Sequence, residues 1–212
     1  MGKSQLNLQG TRDMFIHLSD RMVESKDLLT QADKAIGDGD HGVGMARGFE
    51  AVRLKLEDTT FTALDELLKG VGMALMSSVG GAAGAVFGTF FRGGAKHVGS
   101  REVFDSEALS FMLLDGLQAV QDRGQAKPGD KTMVDALEPA ALKSQELASA
   151  PLDECLVAVT EAAREGMEAT KDMVASVGKA KTLGERSLGH PDPGAVSTYL
   201  ILKFMTEYVI GS

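Results

Sequence analysis

The chain has 212 residues, 43% of them hydrophobic, which is enough to build one sizeable core, and we expect a single domain over residues 1–212. The formal net charge of -8 argues against a nucleic-acid-binding protein, because phosphate backbones are bound by clustered Lys and Arg. A single cysteine cannot form an internal disulfide, and no stretch approaches the roughly 20 apolar residues that span a bilayer, so a cytoplasmic location is expected.

Apolar residues recur at helical spacing along most of the chain. Between residues 64 and 75 they follow the i, i+3, i+4, i+7, i+11 spacing of a helix with one buried face. The same pattern predicts eight helices, at residues 11–32, 43–56, 64–75, 85–98, 106–120, 132–147, 152–174 and 195–209. Because no run of alternating β-branched residues accompanies them, the predicted fold class is an all-α bundle rather than a Rossmann-type sheet.

Gly, Asp, Ser and His residues concentrate in four segments between the predicted helices, at residues 37–44, 77–84, 124–130 and 178–194. A rigid bundle can build a site from loops that it presents at one end. These four loops are therefore the candidate functional segments.

The first loop and the helix end before it contain Asp33, Asp38, Asp40 and His41 within nine residues. In an extended segment, residues two apart point the same way, so Asp38 and Asp40 can converge, with Asp33 completing the cluster. Converging carboxylates repel one another unless a cation is bound, and oxygen ligands suit Mg²⁺ or Ca²⁺ better than Zn²⁺. On spacing alone, an equally good interpretation makes Asp38 and Asp40 turn and helix N-cap residues.

The second loop leads directly into an apolar helix, whose unpaired N–H groups would attract an anion. Gly80, Gly84 and Gly88, in this loop and the helix after it, are spaced four residues apart. This spacing would equally suit a groove in which another helix packs closely.

The third loop nearly matches a phosphate-binding P-loop, but Asp130 is an extra residue before the lysine, and a helix is predicted where a P-loop needs a strand. We reject the P-loop and expect Asp130 to cap a helix that begins near Thr132. The fourth loop contains Ser187, His190 and Asp192. A hydrolytic triad is not expected there, because the serine lacks a nucleophile elbow.

Four motifs together carry a family resemblance: IGDGDHG at 36–42, SSVGGAAG at 77–84, PGDKTMVDAL at 128–137 and GERSLGHPDPG at 184–194. In this order and at similar spacing, they resemble the nucleotide-binding L subunit (DhaL type) of dihydroxyacetone kinase over nearly the whole chain. The resemblance implies an antiparallel barrel of eight helices that holds a Mg²⁺-nucleotide in the loops at one end. It points to the form of the enzyme that depends on the bacterial phosphotransferase system.

The resemblance also implies roles for individual residues. Asp33, Asp38 and Asp40 would bind a pair of Mg²⁺ ions, and Lys179, as the candidate catalytic residue, would face the terminal phosphates. The implied nucleotide contacts are His41, Gly42, Val43, Gly44, Ala82, Ala83, Gly124, Met133, Lys179, Asp192, Pro193 and Gly194.

Three positions depart from the family pattern. Gly44 stands where some members have Asn, Ala83 where some have Ser, and Lys179 where Arg is usual. Lysine keeps the charge but lacks the planar donor fork of arginine, so nucleotide affinity or rate is expected to differ from that of relatives.

In the implied reaction, ADP/ATP is a lasting cofactor. A phosphohistidine carrier of the phosphotransferase system rephosphorylates bound ADP, and the ATP phosphorylates dihydroxyacetone held on a partner subunit. The resemblance also suggests a nucleotide-sensing contact with a transcription regulator. The aspartate cluster alone leaves two alternatives, a Mg²⁺-dependent phosphohydrolase that needs no partner and a structural bundle whose aspartates are caps.

Overall fold

The structure, a computed structural model, describes residues 2–211, and in that part of the chain helices dominate. Two short strands, β1 (Leu6–Asn7) and β2 (Val103–Phe104), pair antiparallel. The α-helices are α1 (Leu8–Glu24), α2 (Lys26–Ile36), α3 (His41–Asp58), α4 (Leu64–Ser78), α5 (Gly81–Val98), α6 (Ser106–Gly124), α7 (Val134–Glu146), α8 (Leu152–Ala169) and α9 (Pro193–Ile210). Short 3-10 helices lie at Thr170–Asp172 and Lys179–Ser187.

Eight of these helices form a closed ring. In the order α1, α3, α4, α5, α6, α7, α8, α9, each packs on the next, and α9 packs on α1. Consecutive loops lie at alternate ends, so neighbouring helices run antiparallel. The predicted all-α fold with an eight-helix antiparallel barrel is therefore confirmed. The ninth helix, α2, lies outside the ring against α3, α9 and the 3-10 helix Lys179–Ser187.

Most helix boundaries lie within four residues of the predicted ones, and two predicted helices differ more. The helix expected at 11–32 breaks at Ser25, whose hydroxyl donates to the Arg21 carbonyl, a local bond that competes with helix continuation. The helix expected to reach residue 174 ends at Ala169. In the fourth loop, the turn-forming residues predicted irregular structure, but 3-10 turns run through it, interrupted at Gly184, which has φ +55°.

The apolar side chains inside the ring form one continuous cluster. Phe91 lies at its middle, edge-on to Phe15 at 5.8 Å and to Phe90 at 4.7 Å between ring centroids. No helix among residues 2–211 has the length and apolar character needed to cross a membrane.

Glycines allow α4 and α5 to pack closely. A Cβ at Gly88 would lie 2.8 Å from the Gly72 carbonyl oxygen, and one at Gly84 would lie 3.3 Å from that of Leu75. The packing interpretation is thus confirmed for Gly84 and Gly88. Gly80 instead forms the turn before α5, with φ +82°.

The β1–β2 pair marks one end of the ring, since β1 precedes α1 and β2 connects α5 to α6. The four polar loops lie at the other end. Because the helices alternate in direction, the N-termini of α3, α5, α7 and α9 all lie at this polar end.

Candidate functional site

A cavity of about 700 Å³ opens at the polar end of the ring. Its lining includes His41, Gly81, Met133 and Pro193, which lie at the N-termini of α3, α5, α7 and α9. The first N–H groups of a helix have no partner within it, and the helix dipole adds partial positive charge there. Four such termini at one cavity make an environment that favours a polyanion.

At one side of the cavity, Asp33, Asp38 and Asp40 each contribute a carboxylate oxygen, and the three oxygens lie within 4.8 Å of one another. Asp33 is buried in the last turn of α2, whereas the other two side chains are exposed. The loop therefore brings together the three carboxylates that spacing had suggested could converge.

The capping interpretation does not hold for Asp40. Although Asp40 occupies the N-cap position of α3, its side chain accepts no capping hydrogen bond. The carboxylate of Asp33 caps α3 instead, because its Oδ2 accepts a hydrogen bond from the His41 N–H at 3.1 Å. Asp40 is thus left free to face the cavity.

Gly37 provides the room that Asp33 needs. A Cβ at this position would lie 2.0 Å from Asp33 Oδ1, far inside van der Waals contact. Any residue other than glycine would displace the carboxylate.

Lys179 lies beside two of these carboxylates. Its Nζ lies 2.5 Å from Asp38 Oδ2 and 3.5 Å from Asp40 Oδ2. The hydrogen bond from Lys179 lowers the pKa of Asp38, and the same contact raises the pKa of the lysine. Lys179 thus lies in the cavity lining, at the start of the 3-10 helix and directly after Gly178, which has φ +69°.

The His41 ring connects two helices. Its Nε2 lies 2.8 Å from Ser197 Oγ in α9, and burial lowers the pKa of the imidazole despite the nearby carboxylates of Asp33 and Asp40. Burial thus favours the neutral form of the ring, which fixes α3 against α9.

The cavity lining contains Val43, Gly44, Ala82, Ala83, Met133, Asp192, Pro193 and Gly194, all expected from the sequence. Gly42 and Gly124 are not part of it. Gly42 packs against α2, where a Cβ would lie 2.2 Å from the Lys26 carbonyl oxygen, and Gly124 ends α6 in open space.

Sequence reasoning missed two basic residues in the lining. Arg47 donates to the carbonyls of Ser78 and Val79 and so fixes the α4–α5 loop. Lys131 belongs to the motif that nearly matches a P-loop, and no other role for it could be predicted from the sequence. No pattern in the sequence indicated Arg47, because its partners lie more than thirty residues away.

The expected Asp130 cap is wrong. Helix α7 begins at Val134, and the carboxylate that organises the loop before it belongs to Asp135, inside the helix. Asp135 accepts from the N–H groups of Gly129 at 2.6 Å and Thr132 at 2.7 Å. Asp130 instead accepts from the Ser176 hydroxyl, which connects two of the polar loops.

Ser187 is buried and structural, as its Oγ donates to the Gly184 carbonyl and accepts from the Ala175 N–H. The rejection of a hydrolytic triad stands. Asp192 caps α9 by accepting from the Ala195 N–H at 2.8 Å. Burial raises the pKa of Asp192 to about 7, with a contribution from Asp135.

Comparisons with known proteins place this architecture in a family. The model of the DAK2 domain matches residues 35–207. The chain is 40% identical over 190 residues to the ADP-binding subunit DhaL of PEP-dependent dihydroxyacetone kinase 1 of Listeria innocua, with 89% of this chain and 90% of the relative covered. It is 41% identical over 181 residues to the corresponding Escherichia coli subunit, with 84% and 85% covered.

A solved structure has the same fold. The dihydroxyacetone kinase of C. freundii in complex with AMP-PNP and Mg²⁺ superposes with a TM-score of 0.71 at 26% identity, over 92% of this chain. This chain spans about a third of that kinase's length, 33%. From the family match and the relatives together, the chain belongs to the DAK2 domain family.

Proposed function

We propose that this chain is the ADP-binding subunit of a dihydroxyacetone kinase that depends on the phosphotransferase system. The observation that carries the proposal is the meeting of three carboxylates, within 4.8 Å of one another, with four helix N-termini at one cavity. Such a site suits a polyphosphate with divalent metal between it and the carboxylates. The relatives that match nearly full length are themselves ADP-binding subunits of dihydroxyacetone kinases, PEP-dependent in Listeria innocua and Escherichia coli and PTS-dependent in Lactococcus lactis.

Asp33, Asp38 and Asp40 would hold Mg²⁺. The donor set fits this ion, because it consists of carboxylate oxygens on a glycine-containing loop and leaves coordination positions for phosphate oxygens. Three carboxylates suffice for two ions that share ligands, and we propose a pair. The metal would neutralise charge on the phosphoryl group in transit.

The nucleotide phosphates would lie along the glycine turn before α5. Gly80 and Gly81 both have positive φ, and nothing lies within 4 Å of the position of a Cβ at Gly81, so a phosphate can approach the backbone N–H groups. The adenine ring of the nucleotide would lie on the apolar part of the lining, where Val43, Ala83 and Met133 are found. The other nucleotide contacts expected from the sequence would complete this part of the site: Gly44, Ala82, Asp192, Pro193 and Gly194.

In the reaction, Lys179 would stay close to the transferred phosphoryl group, since its ammonium already lies beside two of the proposed metal ligands. The only imidazole in the lining, that of His41, is held by Ser197 and is not free to act as a base. We therefore propose that the base for the dihydroxyacetone hydroxyl comes from a partner subunit. Phosphate would arrive at bound ADP from a phosphohistidine carrier.

The test starts from freshly purified protein, denatured and analysed for released ADP. We expect ADP from the parent and none from Asp38→Ala. Asp27→Ala, an exposed aspartate at the other end of α2, is the matched control and should retain ADP. Release of no nucleotide from the parent, together with no binding of added ADP and Mg²⁺ by calorimetry, would contradict the proposal.

A Mg²⁺-dependent phosphohydrolase is distinguished by a second measurement. The chain alone should release no inorganic phosphate from small phosphate esters, and dihydroxyacetone phosphate should form only when the partner subunit and the carrier are added. Turnover by the chain alone would favour the hydrolase. The comparisons give no support to a contact with a transcription regulator.

A further inference from the structure

The third motif contains a lysine, Lys131, that borders the cavity but has no part in the proposed metal and nucleotide contacts. Lys131 is only 2% exposed, and its φ of +61° lies in the left-handed region that bulky residues rarely adopt. Its Nζ is hydrogen-bonded to two backbone carbonyls, those of Thr170 at 2.5 Å and His190 at 2.6 Å.

These two carbonyls flank the stretch of chain that carries Lys179. We call residues 171–189 the lysine segment. The neck is the place where the two ends of this segment, together with Thr170 and His190, lie side by side. At the neck, the Gly189 N–H donates to the Lys171 carbonyl at 2.8 Å. The Asp192 N–H donates to Thr170 Oγ1 at 2.9 Å. The ammonium of Lys131 therefore joins both sides of a neck that is otherwise closed by a few hydrogen bonds.

Asp130, the residue before Lys131, holds the lysine segment at Ser176. Asp130 accepts from the Ser176 hydroxyl through its carboxylate and from the Ser176 N–H through its carbonyl. Two consecutive residues of the α6–α7 loop thus fix the lysine segment at its ends and before Gly178. From there the 3-10 helix Lys179–Ser187 continues against α2.

The buried ammonium would be costly without polar partners. The Thr170 carbonyl lies just beyond the C-terminus of α8, where the helix dipole favours a cation. Asp192, Asp172 and Asp135 also act on the charge, although burial is the larger influence and lowers the pKa of Lys131. Replacement by an apolar side chain would leave the His190 carbonyl without this donor and the Thr170 carbonyl with the Met173 N–H alone.

We propose that Lys131 is a positioning residue, which fixes both ends of the lysine segment and thereby sets where Lys179 meets the phosphoryl group. The inference rests on the proposed function for the role of Lys179, but the anchoring itself can be measured without activity. On this proposal, the motif that nearly matches a P-loop contributes Lys131 as an anchor of the lysine segment.

The first experiment is amide hydrogen exchange on the purified chain. Lys131→Met keeps the side chain's length without its donors, so exchange at Gly189 and Asp192 should accelerate about tenfold or more, with the ring helices unchanged. Lys131→Arg, which retains donors for both carbonyls, should restore protection. Unchanged exchange at the neck in Lys131→Met, or acceleration spread evenly over all helices, would overturn the anchoring.

The second experiment uses the kinase assembled with its partner subunit and carrier. We expect Lys131→Met to lower kcat about tenfold while the Kd for ADP changes less than about threefold. In a Lys179→Met background, the same substitution should have little further effect on kcat, because both changes act through one group. Additive losses would show that Lys131 does not act through Lys179 and would overturn the proposal.

A gentler variant covers a failure of Lys131→Met to fold. Thr170→Val removes the hydroxyl that accepts from the Asp192 N–H at the same neck and leaves the buried charge intact. It should accelerate exchange in the lysine segment and lower kcat, with the same lack of additivity in the Lys179→Met background. If the parent proves to have no kinase activity, the proposed function fails, while the exchange measurements still decide the anchoring.

Discussion

At the scale of single residues, the proposed metal site depends on how Asp33 is held. Its carboxylate is buried at the end of α2, accepts the His41 N–H and lies against the backbone of Gly37. Groups that orient a metal ligand matter nearly as much as the ligand itself. The absence of a side chain at Gly37 is therefore part of the site.

Gly37→Ala should weaken Mg²⁺ binding in the presence of ADP by about tenfold or more, because the new methyl group would push the Asp33 carboxylate aside. Calorimetric titration with Mg²⁺ measures the change. Gly10→Ala in α1, where a Cβ would meet nothing closer than 3.3 Å, is the matched control. Equal Mg²⁺ affinity in Gly37→Ala and the parent would show that Asp33 is not a ligand.

Lys179→Met should have opposite effects on metal binding and on catalysis. Without nucleotide, the ammonium and Mg²⁺ compete for Asp38 and Asp40, so its removal should tighten Mg²⁺ binding by a few fold, about the effect of one exposed ion pair. In the assembled kinase, kcat should fall. Lys181→Met, exposed on the same 3-10 helix, should change neither. Weaker Mg²⁺ binding by Lys179→Met would contradict the competition.

The sequence could predict the three aspartates because they are close together along the chain and a carboxylate cluster has few uses without a cation. It could not predict that Asp33, rather than Asp40, meets the α3 N-terminus. That depends on the angle at which α2 reaches the loop. Arg47 went unnoticed for a similar reason, as its role depends on the packing of α3 beside the end of α4.

At the scale of elements, the loop between α6 and α7 is held from within the helix that follows it. Asp135 is 6% exposed, and each of its carboxylate oxygens accepts one N–H of the loop. The loop in turn supplies Met133 to the cavity and Lys131 to the neck. One side chain thus stabilises two parts of the polar end.

Asp135→Asn should lower the free energy of unfolding by about 1–3 kcal/mol, because an amide offers one acceptor where two N–H groups need partners. Urea unfolding followed by circular dichroism measures this loss. ADP binding should weaken as well. Glu146→Gln, in an exposed pair with Lys143 on the same helix, should stay within about 0.5 kcal/mol of the parent. A stable Asp135→Asn would mean that the loop is held by other contacts.

Periodicity predicted the eight helices of the ring because each has an apolar face towards one core. It could not show the break at Ser25, since apolar spacing continues across the break in α1 and α2. The 3-10 helix Lys179–Ser187 was missed because it packs mainly on α2 rather than on the core. The two-residue strands are too short to produce an alternating pattern.

At the scale of the whole molecule, the alternating helices place four N-termini around one cavity. The carboxylates gathered there oppose this positive potential, and one of them has a strongly raised pKa. Asp192 has a pKa raised to about 7 by burial, above its ordinary value of 3.8. The fold therefore favours the neutral carboxyl, and stability linked to this group is fully present below about pH 4 and is lost as the pH rises to about 7.

Asp192→Asn should accordingly unfold at a higher temperature than the parent at pH 8 and at the same temperature near pH 4, in the absence of nucleotide and Mg²⁺. Asparagine is neutral and still accepts the Ala195 N–H as an N-cap. Thermal unfolding from pH 4 to 8 tests this, with Asp58→Asn, an exposed aspartate, as control. A difference that is constant across this range would show that Asp192 titrates normally.

Among the described residues, the stretches near the two termini meet far from the cavity, at Lys3 and Val209. Helix α9 runs 18 residues, about 27 Å, away from the mouth, and the Lys3 N–H donates to the Val209 carbonyl near its end. A polypeptide joined near either terminus would therefore attach at the end of the ring opposite the mouth. Covalent fusion and free assembly are thus compatible with the same barrel, in keeping with its occurrence as nearly the full length of the DhaL relatives and as a third of the C. freundii kinase.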